Sequence, residues 1–170
     1  TRLKTLRDAR LTMGNAGVAR LFLALRDRQI PLWRGTAMLD LVQEDGRVIG
    51  IVIERNNQRE FVRARKGVVL AAGGFERNQA MREQYLPSPT NTQWSAGNLQ
   101  NTGDAIIAAQ KLGADTAQMD WGWWFTTATV PDKPKAYLSQ VEKGMAGSIT
   151  VNRKGERFSN ESQNYVSFVA

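Results

Sequence analysis

Apolar and polar positions follow two rhythms along this chain, and the change of rhythm marks its elements. Val18, Leu21, Phe22 and Leu25 recur at i, i+3, i+4 and i+7, while Arg20, Arg26 and Arg28 fall on other faces. That spacing predicts an amphipathic helix, with Asn15 as its N-cap and an end before Pro31. Leu32–Gly35 reads as a short strand. From Thr36 to Arg65 the period drops to two. Leu39 and Leu41 lead into an Asp45-Gly46 turn, the run Val48–Ile53 follows, and Asn56-Asn57 turns the chain again towards Phe61-Val62. An antiparallel meander, largely exposed on one face, is the expected result.

The rhythm then stops. Gly67–Ala72 is a short apolar run without alternation, as in a strand covered on both faces. It enters Gly73-Gly74 directly, and a helical pattern occupies about 78–85. A glycine pair between strand and helix serves either a tight turn or a corner where backbone meets a ligand. Residues 86–101 read as a loop. A helix opens at Asn101-Thr102-Gly103-Asp104, capped by Thr102 or Asp104, and Gly113 ends it. Its free N–H groups suit an anion or a ligand oxygen, and the Asp104 carboxylate suits ligand hydroxyls. Three tryptophans crowd into Trp121-Gly122-Trp123-Trp124, beside Phe125. Such a cluster is core or a wall for a flat apolar molecule. The closing segment, 147–158, reads as a strand, a turn at Lys154-Gly155 and a second strand.

Composition narrows the chemistry. The chain has 170 residues, 42% hydrophobic and 23% charged, as in ordinary globular domains. It has no cysteine and no histidine, which excludes disulfides, thiolate metal sites, Ser-His-Asp triads and imidazole catalysis; no metal site is expected. Acid–base work falls to carboxylates, Tyr, Lys, Arg, backbone or a cofactor. The net charge of +7 is concentrated in residues 1–34, where eight basic side chains face two acids. The remainder is nearly balanced, so the excess is no stripe for nucleic acid, and none is expected as a partner. No apolar run is long enough for an integral membrane segment. Thr1 in place of Met and the ending Val169-Ala170 lead to the expectation of a piece of a longer protein.

Four segments in order carry a family resemblance. They are Gly14-Asn15-Ala16, Gly67–Phe75 with Glu76-Arg77-Asn78, Asn101–Asp104 with Leu112-Gly113-Ala114, and Val151–Glu161 (VNRKGERFSNE). Together they resemble the flavoprotein family of fumarate reductases, succinate dehydrogenase flavoprotein subunits and 3-ketosteroid dehydrogenases. The resemblance implies an α/β fold with α+β elements: part of a Rossmann-like FAD-binding domain with a β-meander, plus the start of a substrate-capping domain. Residues 1–118 would belong to the first and 119–170 to the second. It implies FAD as cofactor, with Ala72, Gly73 and Gly74 along the flavin nucleotide, Asp104 binding it from a helix start, and Ala37 and Met38 near the adenine. The family's Gly-x-Gly-x-x-Gly fingerprint is absent from these residues, so weak or no FAD binding by the 170-residue chain alone is expected.

Within the family, the dicarboxylate branch carries a His where Phe125 stands and an Arg near Gly144, where Lys143 is the nearest cation. A diacid needs positive charge to hold it. Trp123, Trp124 and Phe125 offer apolar walls, and the steroid branch is more similar. That likeness implies a cytoplasmic FAD-dependent dehydrogenase, with association to a membrane surface an open alternative. It would desaturate a C–C bond next to a ketone in a bulky apolar substrate such as a ketosteroid, by proton abstraction and hydride transfer to flavin N5, and pass electrons to an unidentified acceptor. Tyr165 would assist proton removal, with packing under the cap the plain alternative. Arg157 and Glu161 are expected to pair structurally. A fumarate reductase-like enzyme acting on an unsaturated acid, and an inactive flavoprotein fragment or interaction module, are the competing expectations.

Overall fold

A computed structural model describes residue 11 and residues 13–169. Helix α1 spans Met13–Asp27. Asn15 therefore lies inside the helix, not at its cap, and the Gly14–Ala16 segment belongs to its first turn. The apolar face formed as predicted, but Val18, Leu21 and Phe22 remain exposed. No strand forms at 32–35: Gly35 takes a φ of +58° and breaks the extended run. Trp33 instead lies under the Arg55 guanidinium, 4.9 Å from its carbon to the ring centroid.

The meander is present. Strands β1 (Thr36–Glu44), β2 (Arg47–Arg55) and β3 (Gln58–Arg63) form an antiparallel sheet in sequence order. Both hairpin turns place two consecutive residues at positive φ, Asp45-Gly46 and Asn56-Asn57, which matches the twist of the flanking strands. Register shifts between Met38 and Asp40 and between Val42 and Gln43 bend β1. Gly50 of β2 is buried where a Cβ would strike the Val62 carbonyl and the Phe61 ring. Ile53 on the same strand is 2% exposed.

Residues 67–72 depart from expectation. The run is extended but pairs with no described strand, and Val69 is 91% exposed. Burial on both faces requires neighbouring strands, and the described residues supply none. Beyond the glycine pair come α2 (Gln79–Tyr85), α3 (Asp104–Lys111), the short pair β4 (Thr127–Ala128) and β5 (Tyr137–Leu138), and α4 (Tyr165–Val169). Helix α3 packs against β1, and Lys111 reaches Asp40 at 3.4 Å. Its buried Ala105 and Ala108 permit close approach.

The two closing strands reduce to one bridge, Val151 to Arg157. Asn152 accounts for this: its side-chain oxygen accepts from the Lys154 and Glu156 N–H groups, drawing the chain into a local turn. What organises the segment is Glu161, 5% exposed, which accepts from the Thr150 N–H (2.6 Å) and pairs with Arg157 at 2.6 Å, as expected. The Arg157 bond and the Thr150 N–H hold its carboxyl down from 4.5 to about 2. A depressed acid stabilises the fold above its unfolded-state value and loses that contribution as pH falls through the folded one. Exchange protection of the Thr150 amide in the full-length protein is therefore expected to hold above about pH 4.5 and to disappear towards about pH 2. Glu161→Gln should flatten that acid dependence.

Candidate functional site: a glycine corner facing an aromatic wall

The two glycine-bearing corners read from the sequence come together. Gly103 N–H donates to the Gly74 carbonyl (3.1 Å), and Arg77 N–H donates to the Asn101 carbonyl (3.0 Å). Asn78 Nδ2 donates to the Thr102 carbonyl (3.0 Å), and Asn101 Nδ2 donates to Glu76 (2.6 Å). Asn78 also caps α2, its side chain accepting from the Met81 N–H. Each corner needs its glycine. Gly73 has φ +84°, and a Cβ there would lie 2.6 Å from Asn101 Oδ1. Gly103 has φ +81°, with Met81 and Phe75 filling the side-chain space.

Gly103 is also the N-cap of α3 and makes no side-chain cap bond, so neither Thr102 nor Asp104 caps this helix as expected. The left-handed turn explains this, since it directs the chain into Gly74 rather than folding a side chain back. Asp104 becomes the first helical residue, exposed, with its carboxylate at the mouth of the α3 N-terminus. Gly113 (φ +84°) follows the C-cap, and the Ala114 N–H returns to the Ala109 carbonyl, a left-handed stop as predicted.

Arg77 carries a role the sequence did not signal. Its guanidinium donates to the carbonyls of Thr92 (2.9 Å), Ser95 (2.8 Å) and Gly97 (3.1 Å) and shapes the loop opposite Gly74. Three charge-assisted bonds to half-buried carbonyls are lost together. Arg77→Met should cost about 2–4 kcal/mol in urea unfolding of the full-length protein.

Between this loop and the tryptophan segment lies a cavity of about 910 Å³. Gly74 and Phe75 form one side, Trp94 and Gly97 a second, and Trp121–Phe125 the third. The tryptophan cluster is thus a wall rather than core, and Trp123 is 76% exposed. Thr127 Oγ1 donates to the Trp94 carbonyl at 2.8 Å and ties the wall to the loop. One cation borders the space. Arg82 is buried, donates through Nε to Thr90 Oγ1 (2.9 Å), and has its guanidinium pulled below its ordinary pKa by burial, with Glu76 opposing and Arg77 adding.

Tyr165 packs against the wall. Its ring stacks on Phe125 at 4.5 Å and 17°, and its hydroxyl accepts a hydrogen bond from Trp123 Nε1 at 3.2 Å. It borders a second concavity of about 480 Å³ that also includes Lys143 and Glu161. Lys143 donates to the carbonyls of Glu161 and Gln163, both at 2.7 Å, and lies over the Phe168 ring. Ala37 and Met38 sit at the start of β1 opposite Glu54 and Ile53, apart from the cavity lining. Ala72, Gly73 and Asp104 flank the corner outside the cavity.

The model for the FAD-binding domain matches residues 2–170. The chain belongs to the FAD-binding domain family. Membership accords with the corner itself. The N–H and C=O groups of residues 68–73 make no hydrogen bond among the described residues, and no Cβ at Gly73 obstructs them. Exposed backbone donors beside a helix N-terminus fit the phosphate and ribityl oxygens of a dinucleotide. Within this family the chain is 43% identical over 159 residues to a 3-oxosteroid 1-dehydrogenase of Mycolicibacterium smegmatis, covering 91% of this chain and 28% of the relative. It is 31% identical over 121 residues to a probable fumarate reductase of Shewanella frigidimarina, covering 71% of this chain and 20% of that protein. Among solved structures it matches a 3-ketosteroid Δ1-dehydrogenase from Sterolibacterium denitrificans in complex with 1,4-androstadiene-3,17-dione. That match has a TM-score of 0.88 and 48% identity, covering 98% of this chain and 30% of the other. The chain therefore spans less than a third of the length of these relatives. The flavoprotein resemblance and its cofactor, FAD, hold, and so does the mixed α/β fold. No helix among the described residues is long and apolar enough to cross a membrane.

Proposed function

We propose that the protein containing these residues is an FAD-dependent dehydrogenase that desaturates the C–C bond beside the ketone of a bulky apolar substrate, a 3-ketosteroid or close analogue. The observation that carries this is the cavity bounded by the Gly74 corner on one side and Trp121–Phe125 on the other. Its volume and flat aromatic wall suit a rigid polycyclic ketone. In this reading residues up to 118 hold the flavin, with Ala72–Gly74 and Asp104 along the nucleotide and Ala37 and Met38 near the adenine. Residues from 119 cap the substrate. A cytoplasmic location belongs to this reading.

The chemistry follows from the ketone. The hydrogen on the α carbon is acidic because its loss gives an enolate, and the neighbouring β carbon gives up its hydrogen as hydride. FAD, when bound, supplies the hydride acceptor. This chain's residues do the rest: the aromatic wall excludes water and orients the flat rings, and Tyr165 relays the proton, giving its own O–H proton to solvent and taking the α proton in its place. The electron pair of the broken α C–H bond becomes the new double bond, and the pair of the β C–H bond leaves with the hydride.

The runner-up, reduction of an unsaturated acid, draws on Arg82, the cation bordering the cavity. Against it, Lys143 is already committed to two carbonyls. Anaerobic mixing of the full-length oxidised protein with a 3-ketosteroid should bleach the flavin absorbance. If the steroid leaves the flavin oxidised while an unsaturated acid reoxidises reduced protein, the second reading replaces the first.

A further inference from the structure

We propose that Trp123 is a positioning residue for Tyr165, holding the phenol oxygen through its indole N–H. This rests on the desaturation reading above and adds to it a residue that acts through the tyrosine rather than on the substrate.

The geometry is specific. Trp123 Nε1 donates to the Tyr165 hydroxyl at 3.2 Å. The Phe125 ring lies against Tyr165 at 4.5 Å and 17°, and Trp123 lies against Phe125 at 5.0 Å and 46°. Stacking fixes the plane of the phenol, and the N–H fixes where its oxygen sits in that plane. Packing alone accounts for the rings but not for the polar atoms being directed at each other.

The polarity of this bond matters. An indole N–H only donates, so Tyr165 must accept from it. The phenol's own proton is left to point elsewhere, and a lone pair is held in a set direction. As the phenol gives its own proton to solvent, negative charge develops on the oxygen, and the same bond persists and becomes charge-assisted with no reorganisation of the donor until the α proton arrives. Trp123 also borders the large cavity, and Tyr165 lies against Trp123 and Phe125 of its lining. The indole therefore links the wall that touches substrate to the group that handles the proton.

Trp123→Phe separates the two roles, because it keeps an aromatic wall and removes the N–H. In the full-length FAD-loaded protein, kcat is expected to fall about tenfold with KM changed by less than about threefold. The isotope effect on kcat with substrate deuterated at the α carbon should rise, since proton removal becomes more fully rate-limiting. With labelled indole nitrogens, the resonance lost in Trp123→Phe should shift in Tyr165→Phe, where the acceptor is gone. An unchanged indole resonance, or a Trp123→Phe enzyme with wild-type kcat, overturns the positioning role. If Trp123→Phe retains kcat while Tyr165→Phe loses it, the desaturation reading survives and only this inference fails. If both variants retain kcat, both fail.

Discussion

Replacing Tyr165 by Phe is expected to lower kcat for desaturation of a 3-ketosteroid by about 100- to 10,000-fold, with a much smaller change in KM. The substitution removes one oxygen and retains the ring that stacks on Phe125 at 4.5 Å, so the aromatic cluster stays assembled. On the proposed reading substrate affinity rests on Trp121–Phe125 and the Gly74 side of the cavity; the change frees the Trp123 N–H but keeps every lining side chain. A loss confined to kcat is the mark of an interaction made in the transition state alone. Steady-state kinetics on the full-length enzyme check this, with flavin content confirming that the variant is loaded. A Tyr165→Phe enzyme within a few-fold of wild type would return Tyr165 to a packing role.

The second large effect concerns the cofactor corner. Gly73→Ala should destabilise the protein by about 2–4 kcal/mol and weaken FAD retention. Two costs combine. The residue sits at φ +84°, where an L side chain is strained, and its Cβ would lie 2.6 Å from Asn101 Oδ1. Asn101 cannot swing aside freely, because its side-chain amide donates to Glu76 at 2.6 Å and its main-chain carbonyl is held by the Arg77 N–H. Displacing it loosens the bonds that join the two corners. Gly113→Ala is the control: its φ is also +84°, but nothing lies within 4 Å of the added carbon. That variant should show the strain without the flavin loss, measured as FAD released on gel filtration of the full-length proteins.

What could be read from residue order was local. Asp45-Gly46 and Asn56-Asn57 dictate positive φ, so the meander and its turns were predictable from the turns alone. The glycine corners and aromatic wall were legible because their chemistry is concentrated in a few adjacent residues. Elements that depend on distant partners were not. The run 67–72 has the composition of a buried strand, yet no strand among the described residues pairs with it, and Val69 stands open. The cap of α3 was misread because Thr102 and Asp104 are good capping types, whereas contact between Gly103 and Gly74 decides the turn. Arg77, Arg82 and Lys143 act through carbonyls and hydroxyls far along the chain, which no spacing rule detects. The Glu76-Arg77-Asn78 run, one residue past the glycine pair, marked the place but not these bonds.

The central claim is that the glycine corner and the tryptophan segment bound a single site for a flat apolar ketone beside FAD. A crystal structure of the full-length protein with FAD and a 3-ketosteroid tests it most directly. The account predicts the steroid rings against Trp123, Trp124 and Phe125, with the nucleotide running past Gly73-Gly74 and the start of α3. Steroid bound away from this wall, or FAD on the far side of the glycine corner, would contradict it.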